Sequence, residues 1–293
     1  MKRHRKELYT PTDLNDNVLY RLSENDNSLV RVIFSSRNLG HQGTNKLCQA
    51  LRTNTRLAAL DLSSNLIETK GAHLIASLLV HQSSMINYDD TEGRGIKTLI
   101  LGDNNLRDDG VKALACAIEN NCTLESLWLD DNCIGATGLA ILSDSLSRNN
   151  WLERLHLKHN SFQSLSPLIK CTFNKKSIDS VANSNHTLKH VFLNCGYSYE
   201  CEELESILKI NRLGKVEARR TKIAMFLEED LGRLFQQNID PHLLPLILGI
   251  LGQHGTNSSM FCAMRNLPSE VLFCQGNCDR NPWCEDPMDV EYL

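Results

Sequence analysis

Residues 124–134 read LESLWLDDNCI, and this run decides the fold. Apolar side chains stand at its positions 1, 4, 6 and 11 (Leu124, Leu127, Leu129, Ile134), with Asn132 at position 9. Three other stretches carry the same pattern: LAALDLSSNLI from Leu57, IKTLILGDNNL from Ile96 and LERLHLKHNSF from Leu152. Two weaker copies flank them. The one from Leu29 has Arg37 at the Asn position, and the one from Leu188 has Gly196 there. Leu29 to Leu57, Ile96 to Leu124 and Leu124 to Leu152 are 28 residues each. Leu57 to Ile96 is 39 and Leu152 to Leu188 is 36, which places inserts near residues 87–95 and 171–181.

A fixed period of this length signals a stacked array. Apolar residues at positions 4 and 6 form a short strand whose odd positions point away from the core. The Asn at 9 bonds to backbone where the chain turns. A glycine falls at position 15 of four repeats (Gly43, Gly71, Gly110, Gly138), where we expect it to permit a tight entry into the helix that follows. Helices are wider than strands, so strands line an inner, concave face and helices an outer one. The expected fold is α/β: a right-handed horseshoe of about six 28-residue β-α repeats with a helical C-terminal cap.

The 28-residue LxxLxLxxNxI unit resembles the ribonuclease-inhibitor subfamily of leucine-rich repeat proteins over residues 29–213. That resemblance implies a macromolecular partner; the subfamily also holds Ran GTPase-activating proteins and the sensor regions of NOD-like receptors. NRLGK (211–215) and FCAMRNLPSEVLF (261–273) are similar to the C-terminal part of ribonuclease-inhibitor-like proteins of diatoms and other microalgae.

Four segments are expected. Residues 1–28 form a basic tail and a capping segment, with Leu14, Val18, Leu19 and Leu22 at helical spacing. Residues 29–215 are the solenoid. Residues 216–275 are a helical cap or separate module, opened by a helix with Ile223, Phe226, Leu227, Leu231, Leu234 and Phe235 on one face. Residues 276–293 are an acidic, disordered tail.

The 293 residues carry a formal net charge of −4, which gives no global attraction for nucleic acid or anionic membrane. The longest apolar run, 243–251, contains Pro245 and Gly249 and falls short of the roughly 18 residues of a membrane span. The basic start lacks the apolar stretch of a secretory signal. The 11 cysteines are scattered, so we expect all of them reduced, in the cytoplasm or the nucleus. Asn121, Asn185 and Asn257 open N-x-S/T triplets, read as chance without a secretory signal.

No Walker A loop, GxSxG elbow, HExxH or dinucleotide fingerprint occurs in the sequence. Cys262, Cys274, Cys278 and Cys284 lack the paired spacing of a zinc knuckle. His156, His159 and His190 come to neighbouring strands and read as a polar contact surface. The expectation is therefore a non-catalytic, monomeric binding protein with no cofactor and a protein partner. The alternatives are a GTPase-activating protein of the Ran-regulator type and a ribonuclease-inhibitor-like inhibitor.

Position 5 of successive repeats gives Ile33, Asp61, Ile100, Trp128, His156 and Phe192 along the concave face. Ile100 and Trp128 supply an apolar centre with the make-up of a binding hot spot. Asp103, Asp130 and Asp131 border it on one side, and Arg154 and Lys158 lie further along.

Overall fold

The computed structural model describes residues 9–11, 13–85, 95–194 and 199–234 (228–234 as backbone), with Leu243, Ile247 and Gly249 besides. The basic stretch at residues 2–6, Phe235, the 261–273 segment, the 276–293 tail and most of the first insert lie outside the described residues. The chain divides into two compact units, Met1–Phe226 and Leu227–Leu293. The first holds the repeats. In the second, Leu243 and Ile247 are buried.

Six three-residue strands form one parallel sheet in sequence order. They are β1 (Arg31–Ile33), β2 (Ala59–Asp61), β3 (Thr98–Ile100), β4 (Ser126–Trp128), β5 (Arg154–His156) and β6 (His190–Phe192). The helices are α1 (Asp16–Ser23), α2 (Gly40–Leu51), α3 (Glu68–Ser84), α4 (Arg107–Glu119), α5 (Ala136–Arg148), α6 (Ser166–Thr172), α7 (Ile178–Ala182), α8 (Tyr199–Asn211) and α9 (Lys215–Leu234). From α2 to α6, and on to α8, they pack side by side as neighbours. This is an open α/β leucine-rich-repeat solenoid. Asn15 caps α1 by accepting from Val18 N, and α1 buries Val18 and Leu22 into the same core as the first repeat. Tyr9 bridges to the outer side of β1, accepting from Ile33 N at 2.9 Å.

The strand register follows the period. Val32, Leu60, Leu99, Leu127, Leu155 and Val191 are partners across the sheet. The first five are buried, and so are Leu62, Leu101, Leu129 and Leu157 two residues on. The second insert adds α7, which buries Ile178, Val181 and Ala182.

Two asparagine series hold the repeats together. At position 9, Asn132 Oδ1 accepts from the N–H groups of Asn104 and Leu106 in the preceding repeat, and its Nδ2 donates to Leu101 O and Asp130 O. Asn65, Asn104 and Asn160 do the same between their own repeats. A second series leads into β2, β4, β5 and β6, three residues before the leading Leu. Asn149 Nδ2 donates to Ile118 O and Asn121 O, while Oδ1 accepts from Leu152 N. Asn54, Asn121 and Asn185 accept from Leu57 N, Leu124 N and Leu188 N in the same way. Two of the three N-x-S/T triplets are therefore turns: Asn121 and Asn185 are buried and accept from Thr123 N and Thr187 N. Asn257 lies outside the described residues.

The position-9 turn is stretched by left-handed residues at alternate positions. Ser64, Leu66 and Glu68 have φ of 54°, 54° and 55°, and Asp103, Asn105 and Arg107 repeat this one unit on. Each such non-glycine costs of order 1 kcal/mol. The asparagine bonds compensate, since every buried N–H at the turn finds its acceptor. The position-15 glycines serve a different purpose from the one expected. They lie inside the helices outside the left-handed region, and their requirement is space. A Cβ on Gly71 falls 2.3 Å from Ile67 Cγ2, and one on Gly138 falls 2.5 Å from Asp108 Oδ1.

Cys48, Cys116, Cys122, Cys133 and Cys171 are free thiols, but Cys201 in α8 is disulfide-bonded. That corrects the expectation of 11 reduced cysteines. A disulfide requires only two thiols brought to the right separation, which a scattered sequence distribution does not rule out.

Candidate functional site

Residues 3 and 5 of each repeat flank the central apolar residue of each strand and face the concave side. The register pairs Ile100 with Trp128, Trp128 with His156, and His156 with Phe192. Sheet spacing of about 4.8 Å then allows rings to stack from strand to strand. The Trp128 and His156 rings lie 3.6 Å apart with planes 11° apart, and His156 and Phe192 lie 4.0 Å apart at 19°. His190 is stacked more loosely on Phe192, at 6.2 Å. The apolar centre thus runs from Trp128 towards β6 as three stacked rings. Ile100 is half-buried on β3, the strand on the other side of Trp128.

Trp128 is half-buried and donates from Nε1 to Ser126 Oγ at 3.1 Å, two residues back on the same face. Ser126 is consequently buried, which a concave-face serine is not expected to be. Asp130 accepts from Lys158 N at 2.6 Å through Oδ1, while its Oδ2 stands 4.0 Å from His156 Nδ1. Desolvation between the two neighbouring rings is the main cause that lowers the His156 pKa below the usual imidazole range; Asp130 opposes the shift, and Lys158 and Arg154 reinforce it.

Asp103 and Asp131 are exposed at the turns after β3 and β4. Arg154 and Lys158 are half-buried at the start and just past the end of β5. Arg154 and His190 are register partners, and His159 bonds to Asn194. Of the nine residues named from the sequence, Trp128, His156 and Phe192 are joined by ring contacts, and Asp130, Arg154 and Lys158 surround His156 electrostatically. Ile100, Asp103 and Asp131 share the face without touching the row through any ring or ion pair.

Sequence reasoning listed the row but not its stacking, which depends on side-chain torsions that no spacing reports. Among the described residues no group of three or more His, Cys, Asp or Glu is placed to hold a metal ion. None of the described helices is long and apolar enough to cross a membrane.

A family model described as Leucine Rich repeat matches residues 96–115 and 120–143, the β3–α4 and β4–α5 units. Among curated proteins, the chain is similar to NACHT, LRR and PYD domains-containing protein 14 of Mus musculus. Identity is 29% over 222 residues, covering 68% of this chain and 22% of that protein. Its similarity to protein 5 of the same series in Homo sapiens is 28% over 182 residues, covering 54% of this chain and 15% of that protein. The chain therefore spans about a fifth of the length of these relatives. Among solved structures, leiomodin-1 actin-binding site 2 aligns at TM-score 0.41 and 17% identity, over 73% of this chain and 96% of that one. The tropomodulin C-terminal domain of Caenorhabditis elegans aligns at TM-score 0.40 and 16% identity, over 72% and 99%. Period, sheet register and family match agree: this chain is built from leucine-rich repeats.

Proposed function

We propose that this chain is a protein-binding scaffold that holds its partner on the concave strand face. The observation that carries the reading is the Trp128–His156–Phe192 row, a stacked aromatic strip with charged groups on both sides. Aromatic anchors rimmed by charge are the usual make-up of a binding hot spot. In this reading Trp128 and Ile100 are the apolar centre, with Phe192 and His156 continuing it. Asp103, Asp130, Asp131, Arg154 and Lys158 form the rim. The chain acts as a monomer, catalyses nothing and needs no cofactor. Residues 29–215 supply the solenoid and residues 216–275 its cap. The 28-residue period and the position-15 glycines support placement in the ribonuclease-inhibitor-like subfamily, and the NRLGK segment supports the microalgal likeness.

The test is comparative capture from native lysate with wild type, Trp128→Ala and the convex-face control Lys112→Ala. A partner retained by wild type and Lys112→Ala but lost by Trp128→Ala supports the reading. A partner lost only with Lys112→Ala contradicts it. Accelerated GTP hydrolysis by any of a panel of small GTPases would replace it with the Ran-regulator alternative.

A cytoplasmic or nuclear setting belongs to the same reading and rests on the five free thiols. The bonded Cys201 is the observation against it, because cytosolic proteins rarely keep disulfides. Alkylation of the native protein in denaturant without reductant decides: a labelled Cys201 supports a reducing compartment and an unlabelled one an oxidising compartment.

A further inference from the structure

His156 keeps only 8% of its surface, yet among the described residues no group bonds to its ring nitrogens. Trp128 covers one face of the ring and Phe192 the other. The nearest acid oxygen, Asp130 Oδ2, stands at 4.0 Å, beyond hydrogen-bond range. The neighbouring polar atoms are already engaged: Trp128 Nε1 by Ser126 Oγ, and Asp130 Oδ1 by Lys158 N. The ring nitrogens are not among the sealed, partnerless polar atoms of the described residues, so they stay open to solvent and within reach of a ligand group.

The charges around it are unequally distributed. Lys97 pairs with Glu125 at 3.1 Å and Lys189 with Glu153 at 2.6 Å, so cations at the strand-entry edge meet an acid where one is available. Arg154 and Lys158 form no ion pair among the described residues, and His190 lies beside Arg154 in register. The β5–β6 half of the face is thus cationic. The turns after β3 and β4 carry Asp103 and Asp131, and the one cation beside them, Arg107 at the start of α4, is turned to Asn105. Phosphates of a nucleic acid would meet these aspartates as well as the cations, so a uniformly anionic ligand fits poorly.

Resting on the function proposed above, we propose that the concave face takes a protein segment that sets a carboxylate against His156 and Arg154 and a cationic side chain against Asp103 and Asp131. One to two strand steps separate these aspartates from β5, roughly 5–10 Å at the usual strand spacing. An extended segment covers that in about two to three residues, which sets the separation of its base and acid in sequence.

The carboxylate supplies the negative charge that His156 lacks. The groups facing the ring are Asp130 from the turn after β4, Lys158 from the turn after β5, Arg154 from its own strand and His190 from β6. A bound carboxylate favours the protonated ring, so affinity rises as pH falls from about 7.5 to about 6.

The experiment selects short random peptides on the full chain and measures one selected synthetic peptide by fluorescence anisotropy. The expected peptides carry an acid and a base at the stated separation. His156→Phe keeps a ring in the stack but removes both nitrogens; it should weaken binding about tenfold and abolish the gain at low pH. Changing the peptide's acid to its amide should cost wild type the same factor and cost His156→Phe nothing more. That comparison on wild type needs no variant to fold. If binding depends on Trp128 but not on the peptide acid or on His156, the inference falls and the scaffold reading stands. If no peptide depends on Trp128, both fall. Competition by a short single-stranded DNA as strong as by the peptide overturns the inference as well.

Discussion

The middle of the array and its C-terminal end close their backbone with different chemistry. Between β3 and β5 each repeat is tied to the one before by an asparagine. Its amide accepts from two N–H groups and donates to carbonyls of both repeats. At the end of the first unit the corresponding task falls partly to Lys222 of α9, which is fully buried. Lys222 Nζ donates to Thr172 O at 2.6 Å and Asn185 O at 3.0 Å, and lies 3.3 Å from His186 Nδ1. With Nδ1 accepting, the proton of His186 sits on Nε2, which faces Ala182 O at 3.2 Å. An amide both gives and takes, so an asparagine passes the pattern to the next repeat. An ammonium only gives, so a lysine ends it. The closure at the end also carries a titratable charge, which the asparagines do not.

Removing a rung has the largest expected effect. Asn132→Ala leaves two buried N–H groups without a partner, and should cost about 3 kcal/mol or more in urea unfolding. Leu127→Ala, at the centre of β4, should cost about 2–5 kcal/mol. Thr98→Ala, half-buried on the concave side of β3, should cost under about 1 kcal/mol. Equal losses for Leu127→Ala and Thr98→Ala would mean that the two faces of the strand are exchanged.

Next comes Gly71→Ala. The added methyl meets Ile67 at 2.3 Å, so a loss of about 1–3 kcal/mol is expected where an ordinary helix position would gain. An increase in Tm would show that the glycine was not chosen for space.

The charged end is sharpened by pH. Burial holds Lys222 down at about 7, and burial together with Lys222 holds His186 down at about 3. For both groups the unfolded chain binds the proton more tightly than the folded one. Stability contributed at this end therefore rises with pH, through about 3–6.5 for His186 and about 7–10.5 for Lys222. The rising slope in the upper window is at most about 1.4 kcal/mol per pH unit and should be lost in Lys222→Met, leaving the opposite slope of the buried Cys48 and Cys171 thiols. An unchanged slope in that variant would place the titrating group elsewhere.

The smallest effect is expected at Leu66, which is 60% exposed with φ of 54°. Leu66→Gly relieves the left-handed strain and should stabilise the turn by up to about 1 kcal/mol, measured as a rise in Tm. A fall would show that Leu66 makes contacts that outweigh its strain.

The middle of the array was legible because period carries it: Leu127, Leu129 and Ile134 recur at fixed places, and burial follows. The asparagine at position 9 was legible as a turn residue but not as a tie to the previous repeat. The second series was available in the spelling, since Asn54, Asn121, Asn149 and Asn185 each precede a leading leucine by three residues. The end was less legible. Helical spacing picks out Ile223 and Phe226, but nothing local marks Lys222 as buried, because its acceptors lie 50 and 37 residues away. At the candidate site, spacing put Trp128, His156 and Phe192 in one column, while the tilt that stacks them is a matter of packing.

The concave face, and not the helical side, is proposed to receive the partner. The helical side offers its own candidate surface, a groove of about 880 Å³ between α3 and α4 lined by His73, Ala76, Val80, Lys112, Ala113 and Cys116. Hydrogen–deuterium exchange of the chain with and without its captured partner distinguishes the two. New protection is expected over Thr98–Asp103, Ser126–Asp131 and Arg154–His159, with α3 and α4 unchanged. Protection confined to α3 and α4 would contradict it.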